Sequence, residues 1–220
     1  VQKAIQSARA LMQPSSEMME RVRAAFLSYG FRALSMGELA GACGYTRRNL
    51  YNYFSNKEDA FRALIAFTNA EQGRLGIAAG RRLLDRNASP LDVITEILIV
   101  RYVSIRQLLS RSSHAGEINN EAFRLCHDIM VHSAGVFRNG LKGVIVDLQK
   151  AGRLQLDAGI SAAQLAQLLG DGVRGINQSL PPVSPEALPA RYRLMCQAIL
   201  FGGAARSASA TRRKAARRPK

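Results

Sequence analysis

Three helix starts crowd into the segment from Leu34 to Phe61, LSMGELAGACGYTRRNLYNYFSNKEDAF, and leave the backbone little choice there. Ser35-Met36-Gly37-Glu38 is a capping box. In it the serine hydroxyl accepts from the N–H three residues on, and the glutamate reaches back to the serine N–H. Leu39, Ala40 and Cys43 then share one helical face, and Gly44 supplies the left-handed residue that ends the helix. Thr46 caps a second helix, predicted over Arg47 to Phe54. Asn56 and Asp59 form a variant of the same box and open a third helix at Lys57. Two short helices around a tight glycine turn make a helix-turn-helix.

The second of these helices has the chemistry of a recognition helix. Such a helix offers its first side chains to base edges in the major groove. Arg47 and Arg48 can bond guanine in bidentate fashion, and Asn49 or Asn52 can do the same to adenine. Thr46, Tyr51 and Tyr53 carry hydroxyls suited to phosphate oxygens. Ser35, Met36 and Lys57 stand at helix starts, where free backbone N–H groups favour an anion. Leu50 and Phe54 make the buried face, against Leu39 and Phe26. The plain alternative is a solvated basic face on a small helical bundle.

The run Tyr29-Gly30-Phe31, Ser35 to Ala40, Cys43-Gly44-Tyr45-Thr46 and Leu50-Tyr51-Asn52-Tyr53-Phe54-Ser55-Asn56-Lys57-Glu58 resembles the N-terminal DNA-binding domain of the TetR family of transcriptional regulators. The likeness covers about the first quarter of the chain. Tyr45 stands where that family usually has a small aliphatic residue, and Arg48 where a small one is common. The resemblance implies a homodimer on a palindromic DNA operator. It also implies a C-terminal helical domain that holds a small-molecule effector.

Helical spacing continues through the remainder, so the fold class expected is all-α. Met19, Val22, Phe26 and Tyr29 form one helix, opened at Ser16 and Glu17. The helix from Lys57 is expected to reach about Leu84. Ser89-Pro90 restarts the chain as N-cap and first helical residue. Helices are then expected over Leu91–Leu109, Asn119–His132, Ala134–Ala151, Ser161–Ser179 and Ser184–Phe201. The divisions expected are an N-terminal arm (1–15), the helix-turn-helix domain (16–62), a larger helical domain (63–204) and a basic tail (205–220). The run from Val93 to Val103 is interrupted by Glu96 and Arg101, and no segment is apolar for long enough to span a membrane. With no secretory signal at the start, a cytoplasmic protein is expected. Cys43, Cys126 and Cys196 are odd in number and widely spaced, which indicates neither a disulfide framework nor a zinc site. Of the net charge of +15, nearly half resides in Arg206 to Lys220, which has seven basic residues and no acidic ones. Such a tail adds salt-dependent DNA affinity, or merely solubilises the chain end.

Two stripes carry the expectation of a dimer interface. They are Leu165, Leu168, Leu169, Gly172 and Ile176, and Tyr192, Met195, Cys196, Ile199 and Leu200; helices in this place resemble the pair through which TetR proteins associate. Tyr102, Arg106, Phe123, His127, Met130 and Phe137 are candidates for lining an effector pocket. Gly170-Asp171-Gly172-Val173-Arg174-Gly175 spells G-x-G-x-x-G, but it follows a helical run rather than a strand and is rejected as a dinucleotide site. His127 and His132 lie about 140° apart on a helix, poor for a shared metal, whereas Asp128 and His132 share a face. No Gly-x-Ser-x-Gly, Walker loop or His-Glu-x-x-His is present, so no catalytic residue, cofactor or metal is expected. A ligand-released repressor is the leading expectation. The alternatives are a nonspecific nucleic-acid binder relying on its tail, and a helical enzyme.

Overall fold

The computed structural model describes residues 11–203, in which the chain is helical with no strand. Most of the expected arm and all of the basic tail lie outside the described residues. The element order is α1 (Ser16–Tyr29), α2 (Met36–Ala42), α3 (Arg47–Leu50), α4 (Lys57–Asp85), α5 (Pro90–Ser110), α6 (Ala115–Leu125), α7 (His127–Lys150), α8 (Ala162–Asn177) and α9 (Leu188–Phe201).

The local signals near the N-terminus act as their chemistry dictates. Ser15, Ser35, Thr46, Asn56, Ser89 and Ser161 each accept a hydrogen bond from the N–H three residues on, so six helices begin on a side-chain cap. Both bonds of the Ser35–Glu38 box are present. In the Asn56 variant, Asp59 instead reaches back to the Ser55 N–H, at 2.8 Å. Gly44, at φ +73°, closes α2 with the paired bonds Tyr45 N–H to Ala40 carbonyl and Gly44 N–H to Gly41 carbonyl.

Several boundaries differ from the expected ones. The recognition helix stops at Leu50, not Phe54. Beyond it the bonds tighten to the i−3 type, Asn52 N–H to Asn49 and Tyr53 N–H to Leu50, which swings Phe54 back into the core. The break expected near Ser133 lies at Cys126, and Ser133 is inside α7. Cys126 is fully buried with φ −126° and ψ 20°, and the carbonyl of Leu125, freed by the break, accepts from the Arg62 guanidinium. Tertiary contact thus ends α6 where no cap is written in the sequence. The last helix begins at Leu188 rather than Ser184, with Pro189 in its first turn.

Two apolar cores share α4. The first gathers Met19, Val22, Phe26, Leu39, Leu50, Phe54, Phe61 and Leu64, with Phe26, Phe31 and Phe61 in mutual aromatic contact at 5.0–5.9 Å between centroids. Ile118, Ala122 and Cys126 of the α6 region complete it. The second joins α5, α7, α8 and α9 around Ile94, Ile97, Leu98, Leu141, Ile145, Leu169 and Tyr192. Helix α5 packs against α4 and α9, and α7 packs against α4 and α8. The α4–α5 contact is close because glycines face α5: a Cβ on Gly76 would stand 2.7 Å from the Ile97 carbonyl oxygen, and one on Gly80 would collide with the Ile97 side chain.

Alanine raises helix propensity by about 1 kcal/mol over glycine, yet Gly76→Ala should destabilise the protein by roughly 1–3 kcal/mol, since the carbonyl cannot rotate away. Gly41→Ala, with nothing within 4 Å of its Cβ, should be neutral or stabilising. Thermal unfolding of the two variants checks both signs.

Candidate nucleic-acid interface

The helix-turn-helix presents a compact basic face. Thr46, Arg47, Arg48 and Tyr51 are exposed, as is Ser35 at the head of α2. The Arg47 guanidinium lies 5.6 Å above the Tyr51 ring, and its Nη2 reaches the phenol oxygen at 3.5 Å. The ring face attracts the guanidinium and favours this direction of the Arg47 side chain. Leu50 and Phe54, both inaccessible, anchor the short helix from beneath. The Met12 N–H donates to the Asn52 carbonyl at 2.9 Å, fastening the segment before α1 to the turn after α3.

Other members of the expected set sit differently. The Met36 side chain is buried in the first core, so only its backbone can face a partner. Asn49 is partly turned inward, its Oδ1 buried without a hydrogen bond. Asn52 and Tyr53 are half-buried. Lys57 donates from Nζ to the Phe31 carbonyl at 2.9 Å and lies 4.4 Å from the centroid of the Phe31 ring, bracing the start of α4 against the turn after α1. Tyr45 packs on the first core beneath the Arg21 guanidinium, 5.6 Å away, while Arg21 also donates to the Cys43 carbonyl. The bulk of this unusual turn residue is therefore absorbed internally.

The helix-turn-helix is tied to the other helices by polar bonds as well as by the shared core. Glu117 accepts from the Arg32 N–H at 2.6 Å, Ser112 donates to the Leu27 carbonyl at 2.6 Å, and Arg32 pairs with Glu121 at 3.5 Å. Arg62 grips Asp128 with both nitrogens, at 2.9 and 2.7 Å, joining the first turns of α4 to the first turn of α7. That bidentate bond pulls the Asp128 carboxyl down to about 2.

Between α4 and α7 runs a cavity of about 780 Å³, with part of α5 beneath it. Ala70, Ile77, Ile129, Val136 and Phe137 give it apolar walls; Arg74, Arg81, Arg101, Asp128 and His132 are its charged or titratable members. The shared face of Asp128 and His132 is part of this wall. Of the six lining candidates from the sequence, Phe137 alone lies on it. Phe123 and His127 point to solvent. Tyr102 makes edge contacts with Phe137 and Tyr192 in the core. Arg106 and Met130 are half-buried away from the cavity. Of these, His127, Met130 and Phe137 lie on α7, which starts at the break at Cys126, a break not marked in the sequence. Arg101, which was not among the candidates, also lines the cavity; the one sequence signal for it is a charge inside the apolar run of α5.

The expected association stripes also divide. Leu165, Leu169, Tyr192 and Cys196 face inward and belong to the second core. The Tyr192 hydroxyl donates to Asn177 at 2.8 Å, and burial pushes that phenol up to about 12. Because α8 and α9 each lie against other helices of the same chain, the strongest apolar stripe serves the core. Leu168 (48% exposed) lies outward, as do Leu194 (62%) and Phe201 (60%) on α9. Gly172, Ile176, Met195, Ile199 and Leu200 lie between these two situations, half-buried. Gly172 lets Met195 approach: a Cβ there would meet its sulfur at 2.8 Å. Gly170 to Gly175 lie within α8, not on a phosphate-binding turn. All three cysteines are free and buried, and no cluster of metal-ligating side chains occurs among the described residues. No helix among them is long and apolar enough to cross a membrane.

Residues 21–64 match the profile of bacterial regulatory proteins, tetR family. No curated protein matches the chain in sequence. Solved structures similar in fold include Salmonella enterica GusR (21% identity, TM-score 0.59), covering 84% of this chain and 93% of that one. SmeT, the repressor of the Stenotrophomonas maltophilia multidrug efflux pump SmeDEF, has 17% identity and TM-score 0.59 over 86% of this chain and 89% of its own. The Thermus thermophilus repressor FadR, solved with lauroyl-CoA, has 17% identity and TM-score 0.56 over 87% and 96%. The capped helix-turn-helix and the profile match converge: residues 21–64 of this chain carry the N-terminal domain of the bacterial regulatory proteins of the TetR family, in a chain whose all-helical fold is similar to that of FadR, a solved TetR-family repressor.

Proposed function

We propose that the protein is a homodimeric DNA-binding repressor, released from a palindromic operator when a small molecule enters the cavity between α4 and α7. The observation that carries this reading is the exposed set Arg47, Arg48 and Tyr51 on a short helix fixed from below by Leu50 and Phe54. Arg47, already stacked on Tyr51, supplies the bidentate fork that reads guanine; Thr46 and Ser35 bond phosphates. One short helix binds weakly, and two-fold symmetry sets a second copy about 34–36 Å away on the next turn of DNA. Exposed Leu168, Leu194 and Phe201 on α8 and α9 support association through those helices, with a smaller contact set than the stripes imply. SmeT and FadR, similar in fold, are both described as repressors.

Release works through α4. The helix-turn-helix rests on its first turns, which are clamped to α7 by Arg62 and Asp128. A ligand wedged between α4 and α7 favours a state in which that clamp and the neighbouring α6 contacts shift together, turning the recognition helices out of register. Swinging the population from 1:99 to 99:1 takes about 5.5 kcal/mol of differential ligand affinity.

Selection of bound duplexes from a random pool at physiological salt should return a palindrome with half-sites about one turn apart. Arg47→Ala should weaken binding to that palindrome by roughly 1–3 kcal/mol and relax its sequence preference. Recovery of salt-labile binding without sequence preference would instead favour the basic tail as the source of affinity.

The clamp makes a second expectation. The folded-state carboxyl of Asp128 is depressed, so the link is intact above the ordinary 3.8 and is lost as pH falls towards about 2. In Arg62→Gln an NMR titration of Asp128 should show its midpoint back near 3.8. That variant should also respond to effector at altered concentrations while its operator sequence stays the same.

A further inference from the structure

We infer that the α4–α7 cavity takes an amphipathic anion, a carboxylate joined to an apolar body, and that Arg101 is the residue that binds the anionic head. This rests on the reading of the cavity as the effector site and names the chemistry of what enters it.

Arg101 is placed where an arginine is costly. It is 6% exposed, in the middle of the most apolar helix of the chain, and it lines the cavity. A buried guanidinium normally has a carboxylate partner, because desolvating the charge costs several kcal/mol. Here none of the ion pairs among the described residues includes it. Residues 1–10 and 204–220 hold no Asp or Glu. Its hydrogen bonding is equally sparse. Nη1 donates to the Asn69 carbonyl at a long 3.4 Å, and Nε is buried with no acceptor. The charge is held instead by aromatic faces, with the guanidinium carbon 3.9 Å from the Phe137 centroid and 5.1 Å from that of Tyr102. Aromatic rings attract a cation but accept few of its five N–H bonds.

The surroundings are shaped for this side chain. Gly73 of α4 leaves the space it fills, since a Cβ there would stand 2.6 Å from Nη1. Gly76 admits its stem, at 3.3 Å from its own would-be Cβ to the Arg101 Cβ. Arg74 and Arg81 add positive charge at the exposed edge. The one carboxylate on the cavity wall, Asp128, already spends both oxygens on Arg62. An anion entering therefore meets unmatched positive charge and unfilled donors, and its body meets Ile77, Ile129, Val136 and Phe137. A carboxylate fits the planar fork of a guanidinium with two parallel bonds.

The experiment is isothermal titration of the full chain, at neutral pH, with straight-chain carboxylates of six to fourteen carbons and 1-naphthoate. Each is paired with its neutral alcohol, and the alkyl phosphates form a third arm. At least one carboxylate should bind about tenfold or more tighter than its alcohol. Arg101→Gln should erase that preference while leaving the alcohol's affinity within about twofold, and Arg101→Lys should restore part of it. Alkyl phosphates matching the carboxylates would keep the anion site and remove its preference for a carboxylate. Alcohols binding as tightly as acids would overturn the assignment, as would failure of every acid to bind. The comparison of acid with alcohol on the unmodified chain needs no variant to fold. DNA binding is absent from this readout: loss of the acid preference leaves operator binding intact, and failure to find an operator leaves the acid preference intact.

Discussion

The contact between α4 and α5 is the constraint on which the rest of the molecule depends, and missing side chains make it possible. Gly73, Gly76 and Gly80 recur along one side of a helix that carries no proline or cap for 29 residues. Each glycine costs helix propensity, of order 1 kcal/mol against alanine. What they allow is backbone contact between two long helices. Helix α4, 29 residues and about 43 Å long, is thereby packed along α5, 21 residues and about 31 Å long. Gly73 also leaves the space that the Arg101 guanidinium occupies.

How much of this could be read from residues alone depended on whether the deciding interaction was local. The caps at Ser35, Thr46 and Asn56 and the left-handed Gly44 involve partners within five residues, so the helix-turn-helix was legible almost atom by atom. The length of α3 was not, because its end is set by Phe54 returning to a core built from distant helices. Cys126 is the sharper case. Nothing near it in sequence marks a break; the break exists because a buried thiol and the Arg62 guanidinium, over sixty residues away, stabilise an interrupted helix. That break fixes which faces His127, Met130 and Phe137 present along α7.

Apolar stripes carried a different ambiguity. Periodicity says that a face is buried but does not say against what. On α8 and α9 the residues of the stripes divide between the protein's own core and the surface, and Leu165 and Tyr192 went one way while Leu168 went the other. A charge inside an apolar run is less ambiguous than an apolar residue in a stripe, because it requires a compensating group. Arg101 was visible as an interruption and could have been followed for that reason alone.

The sharing of Ile118, Ala122 and Cys126 with the helix-turn-helix core has a thermodynamic consequence. Those residues come from beyond the point where the DNA-binding segment ends in sequence, and α4 crosses that point without a break. Cutting the chain after residue 64 would expose Phe61 and Leu64 and sever a helix in mid-course. The part that reads DNA and the part that encloses the cavity are therefore one cooperative unit. Loosening the chain at Cys126, where α7 begins, would therefore lower the stability of the helix-turn-helix as well, because that residue belongs to the same core.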